Sequence, residues 1–285
     1  LLDIGAGKGL LLNKFSKIFP QWELYAVEPS NSANAYFKEV MPDVSCFEGT
    51  YEDSGFEHQT FDLITLSGVL EHLPYPKKFL EKIRNNLADD GRLYIGVPNF
   101  CNNPADLFTF DHLSRFTPEV IKELFSSAGF KVTFEWVLDS RVPMWFMLEK
   151  GPVATSHTMG LYERSKAVCE QAQQFVDASF NAFNRAVKDA QRHDRKLGIY
   201  GVGAIGIIGI HYTNLDKSIV RCIYDDNPSV WGSYIEGIEV VPPKRITDYP
   251  NDDYVFSVNP CYLETISEKL NDMSVPKARI YRPEL

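Results

Sequence analysis

The chain opens on a turn that few folds can use. Leu1-Leu2-Asp3-Ile4-Gly5-Ala6-Gly7-Lys8-Gly9 is a short apolar run carrying an acid, then glycine at every second position, then an amphipathic segment. This order suits a strand–turn–helix whose backbone lies flat against a nucleoside, because glycine adopts turn conformations closed to other residues and lets a ligand approach the main chain. In the dinucleotide pattern G-x-G-x-x-G the helix N-terminus faces a pyrophosphate. Here Asp3 stands where a phosphate would be repelled, so a cationic or amine-bearing nucleoside is the favoured ligand.

Three further segments follow in order. Trp22-Glu23-Leu24-Tyr25-Ala26-Val27-Glu28 reads as a second strand closing on an acid 19 residues after Gly9. Phe61-Asp62-Leu63-Ile64-Thr65-Leu66-Ser67 reads as a fourth strand and runs into Val69-Leu70-Glu71-His72-Leu73. Ala88-Asp89-Asp90-Gly91-Arg92-Leu93-Tyr94-Ile95 reads as a turn into a fifth strand. Over roughly the first 150 residues this series resembles the motifs of class I S-adenosylmethionine-dependent methyltransferases. The resemblance implies an α/β fold with a seven-stranded, Rossmann-like sheet and S-adenosyl-L-methionine, a sulfonium with an ammonium, as cofactor. It implies that Asp3, Gly5 and Gly7 hold the methionine part, with Ala6 and Gly9 in the same turn. Glu28 would hold both ribose hydroxyls, since a carboxylate suits two O–H donors; Pro29, Tyr51 and Ser67 complete the implied cofactor set. After the third strand the family places an Asp on the adenine amino group, and this chain has Thr50 there. Either Glu52 or Asp53 takes over that contact, or both are solvated loop acids.

Charge and cysteine usage narrow the classes. Among 285 residues, Asp and Glu exceed Lys and Arg for a net charge of −9, and no basic run is visible, so nucleic acid is not an expected partner. The five cysteines are scattered without a C-x-x-C pair, which argues against a disulfide framework and against zinc; no metal is expected. No apolar run is long enough to span a membrane and no signal peptide pattern is present, so a cytoplasmic protein is expected. Leu1 already lies in a strand, which suggests a chain that continues upstream with helices covering the substrate.

Strand and helix patterns alternate over residues 1–150, the expected methyltransferase domain. A helix is expected at residues 8–19, with Leu11, Leu12, Phe15, Ile18 and Phe19 on one face and Pro20 as its stop. Thr117-Pro118-Glu119 reads as an N-cap with Pro at the first helical position, and that helix ends at Gly129. The last two strands are expected at 131–137 and 142–150. Residues 151–196 are read as a linker (151–157) and a long helix over 161–195, whose apolar positions from Val168 to Ala190 recur at three- and four-residue steps. That face packs on neighbouring domains or pairs two copies in a homodimer.

Residues 197–285 start as a second nucleotide-type unit. The strand Leu197-Gly198-Ile199-Tyr200 leads into Gly201-Val202-Gly203-Ala204-Ile205-Gly206, a full G-x-G-x-x-G, and Asp225 follows the last glycine by 19 residues. Only one mononucleotide half fits in the remaining length, and nothing there resembles a hydride-transfer site, so NAD is the lesser reading. The stretch Tyr224-Asp225-Asp226-Asn227-Pro228-Ser229-Val230-Trp231-Gly232, with Gly237 beyond it, is similar to the C-terminal domain of sugar C-methyltransferases, with Glu236 where that family has Pro. This resemblance implies a second, smaller Rossmann-like domain that helps hold a nucleotide-linked sugar, with Gly201 and Gly203 at its diphosphate. A unit kept only for packing is the alternative.

Methyl transfer to oxygen or carbon needs a placed nucleophile, excluded water and a base for its proton. His72 follows the fourth strand at the edge where such sheets bind ligands. His112 lies in Thr109-Phe110-Asp111-His112-Leu113-Ser114-Arg115-Phe116, which resembles the Y-x-E-H-x-x-x-Y/F segment of sugar C-methyltransferases, where His and acid abstract a proton beside a keto group. Asp111 and His112 match by type, and Thr109 replaces the Tyr. Capping or packing of the following helix is the alternative for His112. Phe110 and Arg115, with Phe100 and Phe108, are candidates for a substrate wall, Arg115 pairing with a phosphate; the rings could equally pack the loop onto the sheet. His58, His157, His193 and His211 read as solvated. The reading is an enzyme, a small-molecule methyltransferase acting on a sugar or sugar nucleotide. The rivals are an O- or N-methyltransferase of another acceptor, such as a surface polysaccharide precursor, and a cofactor-binding scaffold without turnover.

Overall fold

The structure, a computed structural model, describes residues 1–138, 142–153, 160–212 and 215–284. His157 and most of the linker expected at 151–157 lie outside the described residues. Two units are distinguishable, Leu1–Phe100 with Phe110–Ser165, and Cys101–Thr109 with Lys166–Leu285. No described helix is long and apolar enough to cross a membrane.

The first unit runs β1 (Leu2–Ile4), α1 (Leu10–Ile18), β2 (Tyr25–Glu28), α2 (Asn31–Val40), β3 (Ser45–Glu48), β4 (Phe61–Ser67), α3 (Pro76–Asn86), β5 (Leu87–Pro98), α4 (Pro118–Ser127), β6 (Phe130–Trp136) and β7 (Pro143–Lys150). Its seven strands lie in the order β3-β2-β1-β4-β5-β7-β6, and only β7 runs antiparallel to its neighbours. This is the seven-stranded α/β sheet that the resemblance implied. β1 is central, so Leu2 and Ile4 are buried with Ile64, Leu66, Leu93 and Ile95 in one apolar core. Asp3 is level with Ala26 on β2 and Thr65 on β4.

Local chemistry sets the boundaries. α1 starts at Leu10 rather than near residue 8 because Gly9, at φ 66°, sits in the left-handed region and cannot belong to the helix. Phe19 is the C-cap, and its ring lies 4.8 Å from Phe15; it and Ile18 are exposed, not on the buried face that spacing suggested. Thr117 caps α4 as expected, its Oγ1 accepting from the Val120 amide at 3.3 Å. The turn expected at 88–91 is instead an irregularity within β5: Phe61 pairs with Leu87 and Leu63 with Arg92, so the residues between bulge out of the ladder.

The second unit takes up α5 (Leu161–Arg192) from Lys166 on, then β8 (Leu197–Tyr200), α6 (Ala204–Tyr212), β9 (Val220–Tyr224), β10 (Tyr234–Ile235), β11 (Ile238–Val241), β12 (Asp253–Phe256), α7 (Leu263–Asp272) and β13 (Ile280–Tyr281). Its six-stranded sheet has the order β10-β11-β9-β8-β12-β13. Phe175, Phe183, Val187 and Ala190 of α5 pack with Ile199 and Val255 in this unit's core. α5 ends three residues earlier than the pattern suggested, with Asp194 at φ 51° and the Arg195 amide bonded back to the Ala190 carbonyl at 2.9 Å.

Candidate functional site

The glycine turn is built from both sides. The Gly5 and Ala6 amides both donate to the Val27 carbonyl, at 2.8 and 3.3 Å. A Cβ on Gly5 would fall 2.3 Å from Val69 Cγ2, so the turn touches the segment that follows β4. Gly7 differs: a Cβ there would meet nothing within 4 Å. Its amide donates to Glu28 Oε2 at 2.7 Å, while Glu28 Oε1 accepts from the Ser30 amide at 2.8 Å. Asp3 is 3% exposed and accepts a 2.6 Å hydrogen bond from Thr65 Oγ1. Burial pushes its carboxyl up to about 6, with the Glu28 charge adding to the rise and the Thr65 hydroxyl opposing it.

A cleft of about 390 Å³ opens beside this turn. Gly5, Glu28, Pro29, Thr50, Tyr51 and Glu52 line it. Of the other expected cofactor residues, Asp3, Ala6, Gly7 and Gly9 shape the strand end and turn behind it, and Ser67 closes β4 level with Gly96. Thr50 Oγ1 donates to Asp53 Oδ2 at 2.6 Å, whereas Glu52 faces Lys82 at 3.7 Å and lines the cleft. Tyr51 is buried, its hydroxyl on Asn86 Oδ1 at 2.7 Å. Val69, Leu73 and Phe79 supply an apolar wall that the sequence reading left out. Part of the signal was there: Val69 and Leu73 bracket Glu71-His72 with apolar residues, which suit the face of a purine, while Phe79 comes from α3.

His72 ends a short 3₁₀ turn, Leu70–His72, and also lines the cleft. The Asp111 carbonyl lies 3.0 Å from His72 Nδ1 and the Asp111 carboxylate 3.5 Å from it. The acid that the sequence pairs with His112 thus stands against His72. The two imidazoles meet edge to face at 4.7 Å, and the Leu113 and Ser114 amides donate to the Glu71 carbonyl at 2.8 and 3.0 Å, tying the loop to the turn. Arg115 Nη1 donates to the His112 carbonyl at 3.1 Å and so braces the loop. Of the other expected wall residues, Phe110 is 92% exposed and Phe100 is buried in the first unit, and Phe108 belongs to the second unit, 6.1 Å from Phe180.

Gly201 and Gly203 also belong to the second unit. The Gly201 amide donates to the Tyr224 carbonyl at 2.7 Å, and Asp225 accepts from the Val202 and Asn227 amides at 3.0 and 2.8 Å. A Cβ on Gly203 would fall 2.9 Å from the Ser257 carbonyl, and one on Gly206 2.1 Å from Ser257 Oγ. Here the glycines let the turn lie against the residue that follows β12.

Residues 1–134 match the family model described as a methyltransferase domain. Residues 193–281 match the model described as C2185-like, N-terminal. No curated protein matches the sequence. Among solved structures, the plantazolicin methyltransferase BpumL with a monoazolic analog and SAH is 16% identical, with 53% of this chain and 75% of that one covered at a TM-score of 0.47. A S-adenosylmethionine-dependent methyltransferase from Clostridium acetobutylicum is 11% identical over 53% and 83% at 0.42. The mitomycin 7-O-methyltransferase MmcR is 16% identical over 53% and 48% at 0.44.

Proposed function

We propose that the first unit binds S-adenosylmethionine in the cleft beside the glycine turn and transfers its methyl group to a small-molecule acceptor. The observation that carries this reading is the buried Asp3 and the cleft-lining Glu28 on adjacent strand ends, around a turn that is open at Gly7. Two carboxylates favour a ligand with cationic groups and a ribose diol, and disfavour a pyrophosphate. The matched methyltransferase-domain model over residues 1–134 supports the same reading. Bound there, the cofactor supplies an electrophilic methyl carbon. The chain does the rest. Glu28 accepts from the ribose hydroxyls, and Val69, Leu73 and Phe79 exclude water around the base. The Asp111 carbonyl fixes the proton on His72 Nδ1, leaving Nε2 as the ring's lone-pair atom, and the Glu71–His72–His112 end of the site activates the acceptor.

The acceptor we infer is a sugar or nucleotide-linked sugar, methylated on carbon beside a keto group. Its support is the likeness of the Asp111–His112 loop and of the Tyr224–Gly232 stretch to sugar C-methyltransferases, and Gly201 and Gly203 at the start of α6 suit a diphosphate. The experiment is native mass spectrometry of the protein with S-adenosylhomocysteine and thymidine diphosphate, followed by product analysis with a ketosugar nucleotide. Adducts of both and a new carbon-bound methyl are expected. An oxygen-bound methyl would replace the carbon reading with O-methylation, and failure of S-adenosylhomocysteine to bind would overturn the methyl-transfer reading.

A further inference from the structure

The turn after β4 and the loop after β5 bring three donors together from segments some 40 residues apart. One donor atom from each of Glu71, His72 and His112 lies within 4.8 Å of the other two. We propose that these side chains form a site for one divalent transition-metal ion, which holds an oxygen of the methyl acceptor. The proposal rests on the methyl-transfer reading for its substrate, but not for the ion itself.

Three observations support it beyond proximity. A metal-ligating imidazole characteristically donates its other N–H to a carbonyl or carboxylate, and His72 Nδ1 has the Asp111 carbonyl at 3.0 Å. The ligand-bearing segments are fastened by main chain: the Leu113 and Ser114 amides sit on the Glu71 carbonyl, and Arg115 holds the His112 carbonyl. The donor set also makes chemical sense, with Glu71 2% exposed, His72 lining the unit 1 cleft and the His112 ring edge to face against it. Two imidazoles and one carboxylate suit zinc, iron(II), cobalt(II) or manganese(II), and three protein ligands leave room for an acceptor oxygen. Magnesium, which wants an octahedron of oxygens, matches poorly. Donors at about 2.0–2.2 Å from an ion stand about 3.3 Å from one another, so the cluster needs to close by no more than about 1.5 Å.

An ion there would make the proton of an attached hydroxyl, or of the carbon beside an attached keto oxygen, easier to lose. The bond to hydrogen breaks with its electron pair left on the acceptor, and the proton leaves to water, which reaches the half-exposed His72 and His112 rings. Cysteine spacing could not reveal such a site, because none of its ligands is a cysteine.

The test uses the full chain, freed of metal with a chelator and titrated with Co²⁺ by visible absorption and with Zn²⁺ by calorimetry. One ion per chain is expected, with His112→Ala and Glu71→Gln each weakening it tenfold or more and changing the Co²⁺ spectrum. His112 is half-exposed on a loop, so its variant keeps the test open if Glu71→Gln fails to fold; melting curves check both. No bound ion, or an affinity and spectrum unchanged in His112→Ala, overturns the proposal. S-adenosylhomocysteine titrated into the same samples separates the two readings: binding without an ion sinks the metal site alone, and an ion without S-adenosylhomocysteine binding sinks the methyl-transfer reading alone.

Discussion

The two glycine turns of this chain are wired alike and differ in what surrounds them. In each, the first glycine amide donates to a carbonyl of the neighbouring strand, Val27 for Gly5 and Tyr224 for Gly201. In each, the acid at the end of that strand takes one turn amide and one amide two residues beyond itself: Gly7 and Ser30 on Glu28, Val202 and Asn227 on Asp225. They part at two places. Two residues before the first glycine, the first unit has Asp3 and the second has Ile199, both buried. Behind the second glycine, the first unit has open space and the second has the Ser257 carbonyl. Shared wiring is what a strand–turn–helix needs to close. The charge beneath the turn and the room behind it decide which kind of ligand can use it.

The largest expected effect separates the two acids. Glu28→Ala removes two charge-assisted acceptors for a ribose diol, each worth about 1.5–3 kcal/mol, so the affinity for S-adenosylhomocysteine should fall by about 10²–10⁴-fold. Asp225→Ala should leave that affinity unchanged while lowering the melting temperature, because its carboxylate serves only the local turn in this comparison. Calorimetry on both variants decides it, and a comparable loss from Asp225→Ala would collapse the distinction.

Asp3 against Ile199 gives a pH signature. The Asp3 carboxyl is raised by burial from 3.8 to about 6 in the fold. Between those values the unfolded chain has ionised while the folded one still holds the proton, so this group's contribution to stability falls as pH rises from about 4 to about 6 and then levels. A shift of about two units corresponds to about 3 kcal/mol. Denaturant titrations of the wild type and Asp3→Asn across that window should diverge by that order, the variant being the flatter. A cationic ligand favours the ionised form, so wild-type affinity for S-adenosylhomocysteine, which keeps the ammonium, should rise from pH 5 to pH 7. Parallel curves for the two proteins would remove Asp3 from the account.

The alternation of strands and helices, the cap at Thr117 and the order of the glycine motif were legible because they depend on neighbours in sequence. What was not legible depends on distant contacts. Glu71 sits between Leu70 and His72 and looks like any acid on a turn, yet the loop after β5 buries it and draws His112 alongside. The same loop path turns Asp111 toward His72, although sequence adjacency ties it to His112. Ser257 lies some fifty residues from the turn that it backs, so the spacing of Gly201, Gly203 and Gly206 also meets a packing demand that the motif by itself does not show.

The smallest predicted effects test that last point by splitting stability from binding. Gly206→Ala would set a Cβ against Ser257 Oγ and Cβ, at 2.1 and 2.7 Å, inside a packed unit. Overpacking of this kind costs about 1–3 kcal/mol, and the folded fraction should bind S-adenosylhomocysteine with unchanged affinity. Adding Ser257→Gly, which removes both atoms, should restore part of the loss. Gly7→Ala meets no atom, but it forces a Cβ onto a residue at φ 53°, at a cost of about 1–2 kcal/mol. Its new methyl group occupies the open side of the turn, so binding should weaken by about tenfold even where the protein is fully folded. The pair of ratios, ΔTm against ΔKd, should therefore have opposite weight in the two turns. If Gly7→Ala lowered Tm and left Kd alone, the first turn too would owe its glycines to backbone geometry, and the cofactor would have to be held elsewhere along the cleft.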